Sequence, residues 1–310
     1  MGKLLVALAL AAILLAGCAA PSPPGAETPW PETMTTAPAA TSASAAPSPT
    51  TPVTESAAAT ASSAPSPNTP VTSPATDSAV TNLNWGAENA NTPASDSAAT
   101  NLGWGTPIAG DEFNYTGAPD AAKWKVYNSV GHAGNGIRSP YQATVDGSKL
   151  VITGTADGTT AGMSAKFGRQ QYGRWEVRTA GSGDNEYHLV SILWPDSGNW
   201  PCDGEINYAE TTGDWNLIKF FHHYSCDNRQ VSAAKTLDVS QFHNYAVDWS
   251  PKGTVGYVDG VKWFETTDPA HQPPGPMHQT LQLDWFPDST PDGPGEMRVD
   301  WVRVYAAAGG

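Results

Sequence analysis

From residue 101 to residue 305 the chain is a succession of short apolar or alternating runs, with Gly, Asp, Asn and Pro between them. They are KLVITGT (149–155), GRWEVRTA (173–180), YHLVSILWP (187–195), GEINYAE (204–210), LIKFFHHY (217–224), HNYAVDWS (243–250), TVGYVDGVKWFE (254–265), HQTLQLDWF (278–286) and EMRVDWVRVYA (296–306). None sustains the 3.6-residue period of an amphipathic helix. Short alternating runs bounded by turn formers read as strands. Asp259-Gly260, between two such runs, is a preferred two-residue hairpin turn. About 200 residues with this many strands make a single all-β sandwich or barrel.

One of these runs carries two acids, Glu205 and Glu210, five positions apart. A strand of period two sets Glu205, Asn207 and Ala209 on one face and Ile206, Tyr208 and Glu210 on the other. Glu210 would then enter the core, which is costly for an unpaired charge. A β-bulge near Tyr208–Ala209 returns Glu210 to the face of Glu205 and Asn207. Two carboxylates on one face, near Trp194, Trp200 and Trp215, meet the needs of glycoside hydrolysis. One acid protonates the leaving oxygen while the other attacks or activates water. Indole rings offer flat surfaces to the apolar faces of sugars.

Thr212 to Asn216 is turn-rich, and 217–224 reads as the partner strand of a hairpin. With the turn centred on Asp214, opposed residues sum to 428. Glu205 then faces His223, with His222 as the fallback if the bulge shifts the register. Cys202 and Cys226 satisfy the same sum and are the expected disulfide. Closing a loop of about 25 residues is worth roughly 3 kcal/mol in the chain-entropy picture.

The first hundred residues are of another kind. Lys3 and the apolar run Leu4–Leu15 form an export signal too short to span a bilayer. Leu15-Ala16-Gly17-Cys18 resembles a bacterial lipobox, which implies lipidation of Cys18 and a signal peptide over 1–18. Residues 19–100 are expected to be a disordered linker, rich in Pro, Ala, Ser and Thr, with almost nothing large to bury. Its last part repeats: TDSAVTNLNWG (76–86) returns as SDSAATNLGWG (95–105), read here as a duplicated junction. The folded domain is placed at 101–310. That region holds 15 basic and 24 acidic residues, and no Lys or Arg lies between Cys18 and Asn101. An acidic chain is a poor match for nucleic acid.

At the glutamates the sequence resembles glycoside hydrolase family 16. Residues 204–210 are similar to the signature E-x-D-x-x-E in its bulged, laminarinase-like form, with Asn207 in place of the central Asp. Asp111-Glu112-Phe113, the run Tyr172 to Arg178, Trp194-Pro195, Trp200-Pro201 and the closing run Val299 to Tyr305 also match, in order. The resemblance covers most of 101–307. It implies a concanavalin-like β-jelly-roll sandwich of two antiparallel sheets, with a sugar cleft on the concave face. It implies retaining, endo-acting hydrolysis of a β-1,3 or mixed-linkage β-glucan, with Glu205 as nucleophile and Glu210 as acid and base. Trp285 and Gln282 would contribute to the cleft. No cofactor is required for catalysis. A structural Ca²⁺ would use two backbone carbonyls and one carboxylate, at the positions of Glu112, Gly147 and Asp300. Arg174 and Glu176 alternate on one strand face, where a surface ion pair explains them as well as a role at the site does. The expected partners are a polysaccharide and, through Cys18, a membrane. The expected protein is a monomer, anchored at the outer surface or secreted. The competing readings are a non-catalytic carbohydrate-binding lipoprotein and a cell-wall transglycosylase.

Overall fold

The structure is a computed structural model that describes residues 96–288 and 293–308. The leader, Cys18, the first repeat copy and nearly all of the expected linker lie outside the described residues. Two antiparallel sheets pack face to face. The nine-stranded sheet runs in the order Val261–Thr266, Gly253–Val258, His243–Ser250, Gly173–Gly183, Gly295–Tyr305, Leu150–Gly154, Ala143–Asp146 and Thr116–Gly117, and Ala109–Asp111 also pairs with Gly295–Tyr305. The seven-stranded sheet runs Arg229–Thr236, Leu217–Tyr224, Glu205–Glu210, Tyr187–Pro195, Met277–Trp285, Gly162–Ala165 and Trp124–Val126. A small three-stranded sheet lies apart, from strands Ser129–Val130, Ile137–Arg138 and Thr159–Thr160. The all-β sandwich expected from the alternating runs is the fold observed.

Alternation builds the core between the sheets. Trp175, Val177, Val247 and Trp249 point inward from one sheet. Leu189, Leu193, Ile206, Phe220 and Leu281 point inward from the other. Side chains of this size contribute roughly 1.5–3 kcal/mol each when fully buried. Asp259 and Gly260 both take positive φ, 49° and 70°, as the two-residue turn joining Val258 to Val261 requires.

The domain begins earlier than residue 101. Ser97 caps the short helix Ala98–Asn101 by accepting from Thr100 N at 3.0 Å. Ala98 is fully buried, and Ala98 N and Ala99 N donate to Glu176 at 2.6 and 3.4 Å. Glu176 is therefore not in a surface ion pair with Arg174, which instead bonds Asp248 at 2.9 Å. The acid is buried under a segment 78 positions away in sequence, beyond the reach of a strand-by-strand reading.

Candidate active site

The hairpin that carries the acids has the expected register. Glu205 pairs with His223, Ile206 with His222 and Asn207 with Phe221. The next recorded pair is Glu210 with Lys219, one residue out of step. On the other side Ile192 pairs with Asn207 and Ser191 with Ala209, so Tyr208 is the extra residue. Ile206, Tyr208 and Ala209 all lie in the core. The bulge turns Glu210 back to the outer face of the sheet, where Asn207 Nδ2 donates to Glu210 Oε2 at 2.6 Å. Glu205 and Asn207 share that face and are buried, at 7% and 6% exposure.

Cys202 and Cys226 are bonded across the open end of the hairpin. His223 bonds Asn228 Oδ1 through Nδ1 at 2.8 Å, which orients its ring. His222, the fallback, points the other way into the core. Burial holds its imidazole down to about 3, so it is neutral at ordinary pH. The outer face is apolar beside the acids: Val190, Ile192, Trp194 and Trp200 form one cluster. The Trp194 and Trp200 rings are nearly parallel, 12° apart with centroids at 6.4 Å, and Trp200 lies 6.3 Å from the His223 ring. Gln282 shares this face by its pairing with Val190.

Two tryptophans expected at the site, Trp215 and Trp285, pack against the core. Trp215 packs against the core beside Gly181 and donates to the Asp184 carbonyl at 3.2 Å. Trp285 falls in step with Leu281 and Leu283 on the inner side of its strand. Its ring lies over Gly158, and its Nε1 donates to Glu186 Oε2 at 3.1 Å. Tryptophan suits either face of a sheet, so residue type alone did not separate them. Other outer-face groups escaped the sequence reading. His188 stacks on Phe286 with centroids 4.0 Å apart, and His132 lies 4.7 Å from the same ring. Arg138 is fully buried and pairs with Asp284. No spacing pattern marks Arg138, because it sits in an irregular, glycine-containing stretch.

The side chains at two of the positions expected to hold calcium, Glu112 and Asp300, face guanidinium groups. Arg303 grips Glu112 with two bonds of 2.7 and 2.8 Å. Asp300 is the extra residue of a bulge against Gly173–Gly183 and pairs with Arg178 at 3.1 Å. Burial raises its carboxyl above the usual range, against the pull of Arg178. Calcium takes six to eight oxygens. The expected set has one carboxylate and two backbone carbonyls, so calcium would have to compete with a guanidinium for that single carboxylate.

The fold and the face together define a class: a two-sheet β-sandwich that presents paired carboxylates beside stacked indoles on one outer sheet surface. The family model "Glycosyl hydrolases family 16" matches residues 134–303, and the chain belongs to that family. It is 28% identical over 242 residues to a beta-glucanase of Rhodothermus marinus, covering 64% of this chain and 84% of that protein. It is 29% identical over 160 residues to the endo-1,3-1,4-beta-glycanase EglC of Rhizobium meliloti (strain 1021), covering 47% of this chain and 33% of that one. Among solved structures, the catalytic domain of an endo-1,3-beta-glucanase (laminarinase) from Thermotoga petrophila RKU-1 superposes with a TM-score of 0.57 at 21% identity. That match covers 66% of this chain and 98% of the other, and it supports the jelly-roll fold.

Proposed function

We propose that the protein is a retaining, endo-acting glycoside hydrolase that cleaves β-1,3 or mixed β-1,3-1,4 glucan, tethered at the outer cell surface through lipid on Cys18. The observation that carries the reading is the bulge at Tyr208, which sets Glu205, Asn207 and Glu210 on one face of the sheet. In the first step Glu205 attacks the anomeric carbon and Glu210 gives its proton to the departing glycosidic oxygen. This leaves a glycosyl ester on Glu205. In the second step Glu210 takes a proton from water, whose oxygen displaces Glu205 from the sugar. Trp194 and Trp200 supply flat apolar surface for the ring faces. The family membership and the named activities of its relatives support the substrate class.

The test is reducing-end release from laminarin, lichenan, agarose and xyloglucan by the wild type and by Glu205→Gln. Loss of at least a thousandfold on one of the glucans, with binding retained, is the expected result. Equal rates for the two proteins sink the hydrolase. One observation favours the non-catalytic reading. Asn207, which donates to Glu210, stands where the resembled signature carries an acid. Binding of glucan without turnover by the wild type would decide for that reading.

A further inference from the structure

The repeat that the sequence shows twice, and that the proposed catalysis leaves unused, has a binding site on this domain. Residues 96–105 lie across the outer face of the nine-stranded sheet, remote from the glutamates. Ala98, Ala99 and Trp104 form a small separate core there with Ala246 and Tyr305. The Trp104 ring meets Tyr257 and Tyr305 edge-on, at 5.8 and 5.6 Å, and the Arg174 guanidinium lies 5.3 Å over it. Glu176, fully buried, receives the amides of Ala98 and Ala99. Ala246, which pairs directly with Glu176, is small enough to leave the floor of the groove open.

Residues 76–86 repeat residues 95–105 at an offset of 19, with 8 of 11 positions identical. The cap Ser97, the buried Ala98 and the anchor Trp104 correspond to Ser78, Ala79 and Trp85. Two of the three differences fall where the docked geometry can be compared, and both fit it. The third, Thr76 for Ser95, lies outside the described residues. Gly103 has φ +65°, and its counterpart Asn84 belongs to the residue type that tolerates this region best after glycine. Ala99, whose counterpart is Val80, borders a surface cavity of about 350 Å³ shared with Ser97, Thr100 and Gly105, so two more methyl groups have room.

We propose that the groove formed by Glu176, Arg174, Ala246, Tyr257 and Tyr305 is a peptide-binding site for the motif D-S-A-x-T-N-L-x-W-G, and that residues 76–86 are its second, exchangeable occupant within the same chain. With the second copy docked, only Thr106 separates Gly105 from Pro107. With the first copy docked, the 20 residues 87–106 form the connection. Closing that longer loop disfavours the first copy roughly a hundredfold. The second copy is therefore the resident, and the first takes the groove when the resident fails. Exchange moves the attachment point of the leader by 19 residues without unfolding the domain.

The experiment uses the full chain. Truncating buried Trp104 weakens resident docking by more than about a hundredfold, enough to reverse the balance. In Trp104→Ala, hydrogen exchange at the amides of Ala79 and Val80 is expected to be at least tenfold slower than in the double variant Trp85→Ala/Trp104→Ala. The thermal midpoint of the double variant is expected to fall further than that of Trp104→Ala, and synthetic TDSAVTNLNWG at millimolar concentration is expected to raise it again. A scrambled peptide should have no effect. Ala98→Asp, which sets a second carboxylate against Glu176 and spares Trp104, is an independent way to displace the resident and should give the same protection. Equal exchange rates in the single and double variants, or a peptide without effect, overturn the proposal. Protection that grows with protein concentration and accompanies a dimer on size exclusion also overturns it, by placing the first copy on a neighbouring molecule.

Discussion

Replacing Glu176 by Gln tests the electrostatics of the docked segment. Burial beneath the helix Ala98–Asn101 raises the Glu176 carboxyl from its ordinary 4.5 to about 7, and the two amide bonds offset only part of that rise. Between these values the folded protein holds a proton that the unfolded chain has lost. Unfolding then releases a proton, so stability falls as pH rises from 4.5 to 7. The gap from 4.5 to about 7, at 1.36 kcal/mol per pH unit, amounts to about 3 kcal/mol. His222 acts in the opposite sense. Its imidazole is held near 3 when folded, so its contribution is lost as pH falls below the usual histidine range. Because His222 is present in both proteins, it cancels in the comparison. The measurement is urea unfolding of wild type and Glu176→Gln at half-unit steps from pH 4.5 to 7.5. The free-energy difference, wild type minus variant, should decline by about 3 kcal/mol across that range. A difference constant to within about 0.5 kcal/mol would refute the assignment of a buried, titrating carboxyl at this position.

Three further outcomes are expected. Asn207→Asp places a carboxylate beside Glu210 and should raise the alkaline limb of the pH–rate profile by roughly one unit, with Glu210 keeping its proton to higher pH; a limb that stays in place or moves down disproves that coupling. Replacing Cys202 and Cys226 together by Ser frees a link of sequence separation 24 and should cost about 3 kcal/mol in urea unfolding, against no change if the hairpin is held by its ladder alone. Since Arg178 already faces Asp300, dialysis against a chelator should leave the thermal midpoint unchanged; a drop reversed by calcium would mean that the ion displaces a guanidinium.

Much of the site could be read from the sequence because its rules are local. An acid that strict alternation would bury demands a bulge, and the bulge lies at Tyr208 as expected. A turn centred on Asp214 fixes the sum that pairs Glu205 with His223 and Cys202 with Cys226. What escaped depends on contacts distant in sequence. Trp215 and Trp285 pack inward because of Gly181 and Gly158, positions that no rule of spacing connects to them. Glu176 is buried by a segment assigned to the linker, and that segment looked unstructured because its few apolar residues have no partners among themselves. The Arg138–Asp284 pair joins elements 146 positions apart, with no pattern at either end.

The contact between Trp104 and Tyr305 brings the entry and the exit of the domain to one corner, on the sheet that turns its back to the glutamates. A reporter, a bead or a second module attached close to either end of the domain approaches from behind, and the face that carries the glutamates stays open. The two ends are also neighbours in space. Joining them with a short bridge and opening the chain at a surface turn should yield a permuted protein with its front face undisturbed.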